Sequence, residues 1–160
     1  MVSRIQTSSD FGSELGAALQ QVGGRIVKRV NDAMQTEMKV ILKNCQESAP
    51  VEHGNLEDAI KLDSENRRRK WIIYVDESMP DDTGKYTVGD YAMLLHEGTS
   101  WTPGKLSEEK FAANGKPADG RKYLERPFEE AINNGIVDRL AAVARDSGVS
   151  DAPGTTNSQN

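Results

Sequence analysis

Apolar residues recur at steps of three and four along the first third of the chain. Leu15, Leu19, Val22, Ile26, Val30, Met34, Met38, Ile41 and Cys45 form one drifting stripe between Ser13 and Glu47. That spacing predicts a long amphipathic helix, with Asp10 and Ser13 as candidate N-caps. Gly23-Gly24 sits inside the stripe, and each glycine costs roughly 1 kcal/mol against alanine. A kink or break is expected there, with the firmer helix from Arg25. Pro50 lacks an N–H and its ring disfavours helical geometry at Ala49, so the helix has to stop.

The pattern changes after Pro50. Gly54-Asn55 marks a turn. Leu56 and Ile60 are four apart, so one helical turn or a wide bend sends both inward. Two strand-like runs follow, residues 59–63 and Trp71-Ile72-Ile73-Tyr74-Val75, which read as an antiparallel hairpin. Its tip carries Arg67-Arg68-Arg69-Lys70. Residues 79–89 read as a loop rich in Pro, Asp and Gly. Residues 91–96 are short and apolar, either a strand or one or two helical turns, with Tyr91, Leu94 and Leu95 packing and His96 and Glu97 at a polar edge. Residues 101–120 hold Pro103, Gly104, Gly115, Pro117 and Gly120 and read as a long loop. Arg126-Pro127 opens a final helix, since proline is tolerated in the first turn. Leu124, Phe128, Ala131, Ile132, Leu140 and Val143 give it an apolar face, and Gly135 weakens its centre.

These elements predict a single α+β domain. A long N-terminal helix and a C-terminal helix pack on a small, mostly antiparallel sheet with long loops. Residues 1–12 are expected to be a flexible N-terminus, 13–146 the domain and 147–160 a disordered tail, because little there can offset chain entropy.

Composition narrows the function classes. The 160 residues are 36% apolar and 28% charged, with a formal net charge of −5. An acidic chain does not neutralise phosphates as a DNA binder does. A single cysteine, Cys45, excludes an internal disulfide and fits a reducing compartment. No run approaches the ~18 apolar residues of a membrane span, and the first ten residues lack the apolar stretch of a signal peptide. The expectation is a soluble protein made in a cytoplasm, with no membrane partner.

Candidate chemistry is sparse. His96 and Glu97, with His53, could form an acid–base pair or ligate a metal in a small hydrolase. Adjacent residues on a strand point to opposite faces, however, and no His-Glu-x-x-His spacing exists. Cys45 lies on the helix stripe, where a small core residue is the ordinary reading. We therefore expect no catalytic residue, no metal site and no cofactor. Arg67-Arg68-Arg69-Lys70 is either a solvated tip that blocks edge-to-edge pairing or a contact for an acidic neighbour or for DNA. A nucleic-acid-binding module built on this tip is the second alternative function. Trp101, heading the long loop, either folds back on its own domain or anchors in a neighbouring subunit.

Three segments carry a family resemblance. They are residues 49–60 (Ala-Pro-Val-Glu-His-Gly-Asn-Leu-Glu-Asp-Ala-Ile), residues 91–99 (Tyr-Ala-Met-Leu-Leu-His-Glu-Gly-Thr) and residues 121–127 (Arg-Lys-Tyr-Leu-Glu-Arg-Pro). In that order after a long helix, they resemble the neck or tail-completion family of lambdoid and related tailed phages, often labelled a minor tail or head–tail connector component. Family members carry a Pro-x-x-Thr-Gly-x-Leu-Arg turn, a Tyr-Ala box ending in Glu-Gly-Thr, and a final helix opened by Lys-Phe-Leu-Glu-Arg. Here His53 stands in place of threonine, Glu57 in place of arginine and Tyr123 in place of phenylalanine.

The resemblance covers roughly residues 28–145. It implies a structural virion protein, assembled in the host bacterial cytoplasm into a ring that joins head connector to tail. A hexamer is favoured over a dodecamer. Implied partners are further copies of the chain and neighbouring neck, portal-adaptor, tail-terminator or tail-tube proteins, with DNA passing non-specifically through the channel. Interface candidates are Arg67, Arg68, Arg69, Lys70, His96, Glu97, Gly98, Thr99 and Trp101. Pro50, Gly54, Leu56, Tyr91, Ala92, Leu124 and Pro127 are the structural positions of the motifs.

Overall fold

A computed structural model of the chain describes residues 10–51, 55–65, 67, 70–98 and 101–149. Its elements run α1 (Asp10–Ser48), α2 (Leu56–Ala59), β1 (Ile60–Glu65), β2 (Lys70–Val75), α3 (Gly89–Glu97), α4 (Lys105–Asn114), α5 (Glu125–Asn133) and α6 (Ile136–Val149). The strands form a two-stranded antiparallel sheet with Ile60 opposite Val75 and Glu65 opposite Lys70. The predicted α+β class, helices with a small antiparallel sheet, is thus observed.

Two compact units divide the chain: Met1–Ala33 with Asp138–Asn160, and Met34–Val137. In the first, α1 is helical through Gly23-Gly24 without the expected break. Among the described residues neither glycine has a neighbour within 4 Å of where a Cβ would lie. Val22, Ile26 and Val30 are half-buried and Val27 is exposed, while the Leu15 and Leu19 side chains lie outside the described ones. The helix α6 runs through Ser147, whose hydroxyl donates to the Val143 carbonyl at 2.6 Å, and on to Val149. Residues 150–160 of the expected tail are outside the described residues.

The second unit holds most of the core. The α1 stripe continues there as Met38, Ile41 and Cys45, all buried, and stops at Ser48 as Pro50 demands. Ala49, Leu56, Ala59, Ile60, Val88, Phe111 and Tyr123 are also buried in this unit. The single turn α2 does what the four-residue spacing of Leu56 and Ile60 predicted and buries both. The strands start and end within two residues of the predicted runs.

Three expectations for this unit are corrected. Residues 91–96 settle as helix, within α3. Its Leu94 is exposed, because on this helix Ala92 and Leu95 hold the inward face. The segment 101–120 is not a long loop. It contains α4, which starts after extended Gly104 and stops at left-handed Gly115 (φ +62°), so the glycines read as loop bracket a helix. The final helix is two helices: Asn134 ends α5, and Gly135 at φ +76° turns the chain before α6.

Candidate assembly surface

The C-terminal end of α1 leaves carbonyls with no intrahelical partner and a partial negative charge. No basic residue in its own last turn answers them. Lys110 of α4 answers them, and Lys116, just beyond α4, holds side chains of the same turns. The Lys110 ammonium donates to the Gln46 carbonyl at 2.7 Å, the Ala49 carbonyl at 2.9 Å and Glu57 Oε2 at 2.6 Å, which uses its three protons. Lys116 Nζ donates to Asn44 Oδ1 at 2.9 Å and lies 3.6 Å from Glu47. Both side chains are nearly buried, at 13% and 12% exposure. The Val51 N–H donates to the buried Ser107 hydroxyl at 2.9 Å. Glu57, where the family pattern has arginine, is thereby occupied inside its own chain.

The second and third motifs meet around Tyr123. Its hydroxyl donates to the Ala92 carbonyl at 3.1 Å, and its ring meets His96 edge-on at 5.0 Å between centroids. The Lys122 N–H donates to the His96 carbonyl at 2.9 Å. Lys122 Nζ reaches both Glu97 oxygens at 3.1 Å and Glu125 at 3.2 Å. Hydrogen bonds from Lys122 and His96 hold the Glu97 carboxyl below its ordinary pKa, and Glu97 and Glu125 raise that of Lys122. Gly98 closes α3 in the left-handed region (φ +65°), and a Cβ there would lie 2.5 Å from the Arg121 side chain. Asp119 takes a two-pronged contact from Arg126, at 2.6 and 3.0 Å, which lowers the carboxyl's pKa. Pro50, Leu56, Ala92 and Pro127 are buried, and Tyr91 and Leu124 are half-buried. The Leu124 carbonyl lies 3.7 Å from Cys45 Sγ. The three motifs therefore supply the floor of one unit, and Gly54 lies outside the described residues.

Of the interface candidates, Glu97 is exposed and held by Lys122, His96 is half-buried, Gly98 is buried as the helix cap, and Trp101 is half-buried. Arg67 is exposed at φ +57° and Lys70 pairs with Glu65 at 3.0 Å. Arg68, Arg69 and Thr99 are outside the described residues. Sequence reasoning missed Met93, 68% exposed beside Leu94 at 59%. Met93 borders an open groove of about 310 Å³ with Tyr74, Val75, His96 and Leu124. Three-residue spacing from Tyr91 to Leu94 suggested packing there, but a nine-residue helix has one inner stripe, which Ala92 and Leu95 occupy.

The chemistry of the candidate acid–base residues is modest. His96 Nδ1 lies 3.2 Å from its neighbour Glu97, its Nε2 is buried with no partner among the described residues, and His53 is outside them. Burial pushes the Cys45 thiol up to about 12, which keeps it protonated and a poor nucleophile. Among the described residues no three His, Cys, Asp or Glu side chains gather as metal ligands, and no helix is long and apolar enough to cross a membrane.

Residues 13–90 match the family described as "Bacteriophage HK97-gp10, putative tail-component". The span takes in α2, the hairpin and nearly all of α1, and ends as α3 begins. It bears out the resemblance to phage tail components read from the motifs. No curated protein and no solved structure matches the chain.

Proposed function

We propose that the chain is a non-enzymatic structural subunit of a tailed-phage virion, placed at the head–tail junction as a neck or tail-completion protein. The family match over residues 13–90 carries this reading. The protein assembles as a closed ring between head connector and tail, six-fold before twelve-fold. Its neighbours are portal-adaptor, tail-terminator or tail-tube proteins, and DNA passes through without sequence-specific contact. Residues 13–146 act as one assembling domain, and residues 147–160, apart from the buried Ser147 near the end of α6, add little to its folding.

Physical support comes from the surface. Adjacent outward Met93 and Leu94 are apolar area that a solitary domain gains by covering. Head-to-tail contacts between identical copies close into rings when the rotation permits. The cationic hairpin tip on an acidic chain steers docking onto an acidic neighbour, an effect on rate and specificity more than on affinity.

The test is position and mass. Cryo-electron microscopy of virions should show density for this chain as a ring on the tail axis, and mass photometry of the purified protein should show closed oligomers. A chain absent from purified virions and monomeric with every virion component ends this reading. The non-enzymatic part stands separately: stoichiometric zinc that is lost in a His53→Ala/His96→Ala double variant would overturn it.

A further inference from the structure

Among the described residues the two-stranded sheet has two unpaired edges, and the hydrogen-bond register says which groups face them. Asp76 N–H donates to the Ala59 carbonyl at 2.8 Å, one step beyond the Ile60–Val75 pair. Bonded and non-bonded pairs alternate along an antiparallel ladder. The ladder bonds of β1 therefore fall on Lys61, Asp63 and Glu65. Ile60, Leu62 and Ser64 turn their N–H and C=O groups away from β2, as Trp71, Ile73 and Val75 turn theirs away from β1. Two of these outward groups are answered locally: the Ile60 carbonyl by Gln46 Nε2 at 3.2 Å, and the Ser64 N–H by Asp63 Oδ1 at 2.6 Å. The N–H and C=O of Leu62 have no partner among the described residues.

The β1 edge opens onto a groove. Along β1 the groove is about 520 Å³, walled by Lys39, Leu42 and Gln46 of α1 and floored by Leu62 and Trp71. The Trp71 Nε1 there is buried with no hydrogen-bond partner among the described residues. Val75 at the end of β2 borders the groove beside Met93. Lys39 and Lys61 balance Asp58 and Asp63 around the β1 groove, so it favours no charged polymer. What it offers is an unsatisfied backbone donor and acceptor, which is what an extended peptide strand fits. An isolated two-stranded sheet is marginal, and added strands stabilise it.

We propose that the free edge of β1 receives the free edge of β2 from a second copy of this chain. The inference rests on the ring reading above and names the contact that builds the ring. Strand charge supports this pairing. On its exposed face β1 presents Asp63 and Glu65 against Lys61, while β2 presents Lys70 as its sole charge; within one hairpin Glu65 and Lys70 already pair at 3.0 Å. Joining β1 to β2 is heterologous, so every added copy leaves one edge of each kind at the ends, and the series finishes in a ring where the rotation between copies closes. Pairing β1 with β1 would instead stop at a dimer.

Proline tests this because it removes one N–H, and at Leu62 or Ile73 that N–H serves no bond to the partner strand of the hairpin. Full-length chains are compared by mass photometry, with circular dichroism to verify folding. Leu62→Pro and Ile73→Pro should each lose closed oligomers, weakening self-association at least tenfold, while Leu62→Ala, which keeps the N–H, assembles. An equimolar mixture of the two proline variants should form dimers and no ring, since each keeps one good edge. Where a proline variant fails to fold, hydrogen exchange on the wild type decides. The Leu62 amide should exchange fast in the monomer and slowly in the oligomer, with Lys61 and Asp63 protected in both. Oligomers in which the Leu62 amide stays fast overturn this contact and leave the ring reading standing. Dimers formed by Ile73→Pro alone overturn it in favour of β1–β1 pairing. A wild type that is monomeric at every concentration overturns both readings.

Discussion

Two basic features of this chain behave in opposite ways. The Arg67–Lys70 run is conspicuous in the sequence, yet its described members are exposed, and Lys70 makes a solvated ion pair with Glu65. Lys110 and Lys116 are inconspicuous, in a stretch that reads as loop, yet they are nearly buried and hold the C-terminal end of α1. Charge density along the chain is therefore a poor guide to where charge supports the fold. An exposed pair contributes ~0–1 kcal/mol, because water already solvates both partners. A buried ammonium that satisfies helix-end carbonyls cannot be removed without leaving those carbonyls dry.

The contrast is sharpened by substitutions of decreasing expected cost. Phe111→Ala, one residue from Lys110 and wholly buried, should cost about 3–5 kcal/mol in urea unfolding, as a cavity opens under α4. Lys110→Met should cost about 2–3 kcal/mol, since Gln46, Ala49 and Glu57 lose a common donor. A Lys110→Met protein with wild-type stability would collapse the contrast. Asp119 lies between the extremes, part-exposed and clamped by Arg126. Its folded pKa is depressed, so the stability from this contact is fully present above the ordinary carboxylate value of 3.8 and is lost as pH falls through the lower folded value. Melting temperatures should accordingly fall less between pH 6 and pH 3 in Asp119→Asn than in the wild type.

The smallest stability effect is predicted for the tip. Replacing Arg67, Arg68, Arg69 and Lys70 with serine should change folding by no more than about 0.5 kcal/mol, because the described members, Arg67 and Lys70, are exposed. The same variant should assemble more slowly at low salt, and the difference should shrink as salt rises. Equal assembly across the salt range would leave the tip as a solvated turn that merely blocks edge pairing.

Much of the architecture was legible along the chain. The three- and four-residue spacing of apolar residues, with Pro50 behind it, was enough for α1 and its end. Alternation and β-branched residues were enough for the hairpin. Each depends on neighbours a few positions away. The motif segments also pointed correctly to a phage tail-component resemblance, but not to their geometry, in which Tyr123 closes against Ala92 and His96.

The rest was decided by contacts between distant positions. Lys110 caps a helix that ended at Ser48, and its bond to the Ala49 carbonyl spans 61 positions, so no local window holds both partners. The glycines around α4 read as loop because a glycine that brackets a helix and one that breaks it look alike until φ is known. Leu94 turned outward because Ala92 and Leu95 fill the inner face of α3, a choice made by what packs opposite. The open edges of β1 and β2 were equally invisible. Sequence alternation assigns side chains to faces, but which backbone groups remain unpaired depends on the register between two strands, and register exists only once they have met.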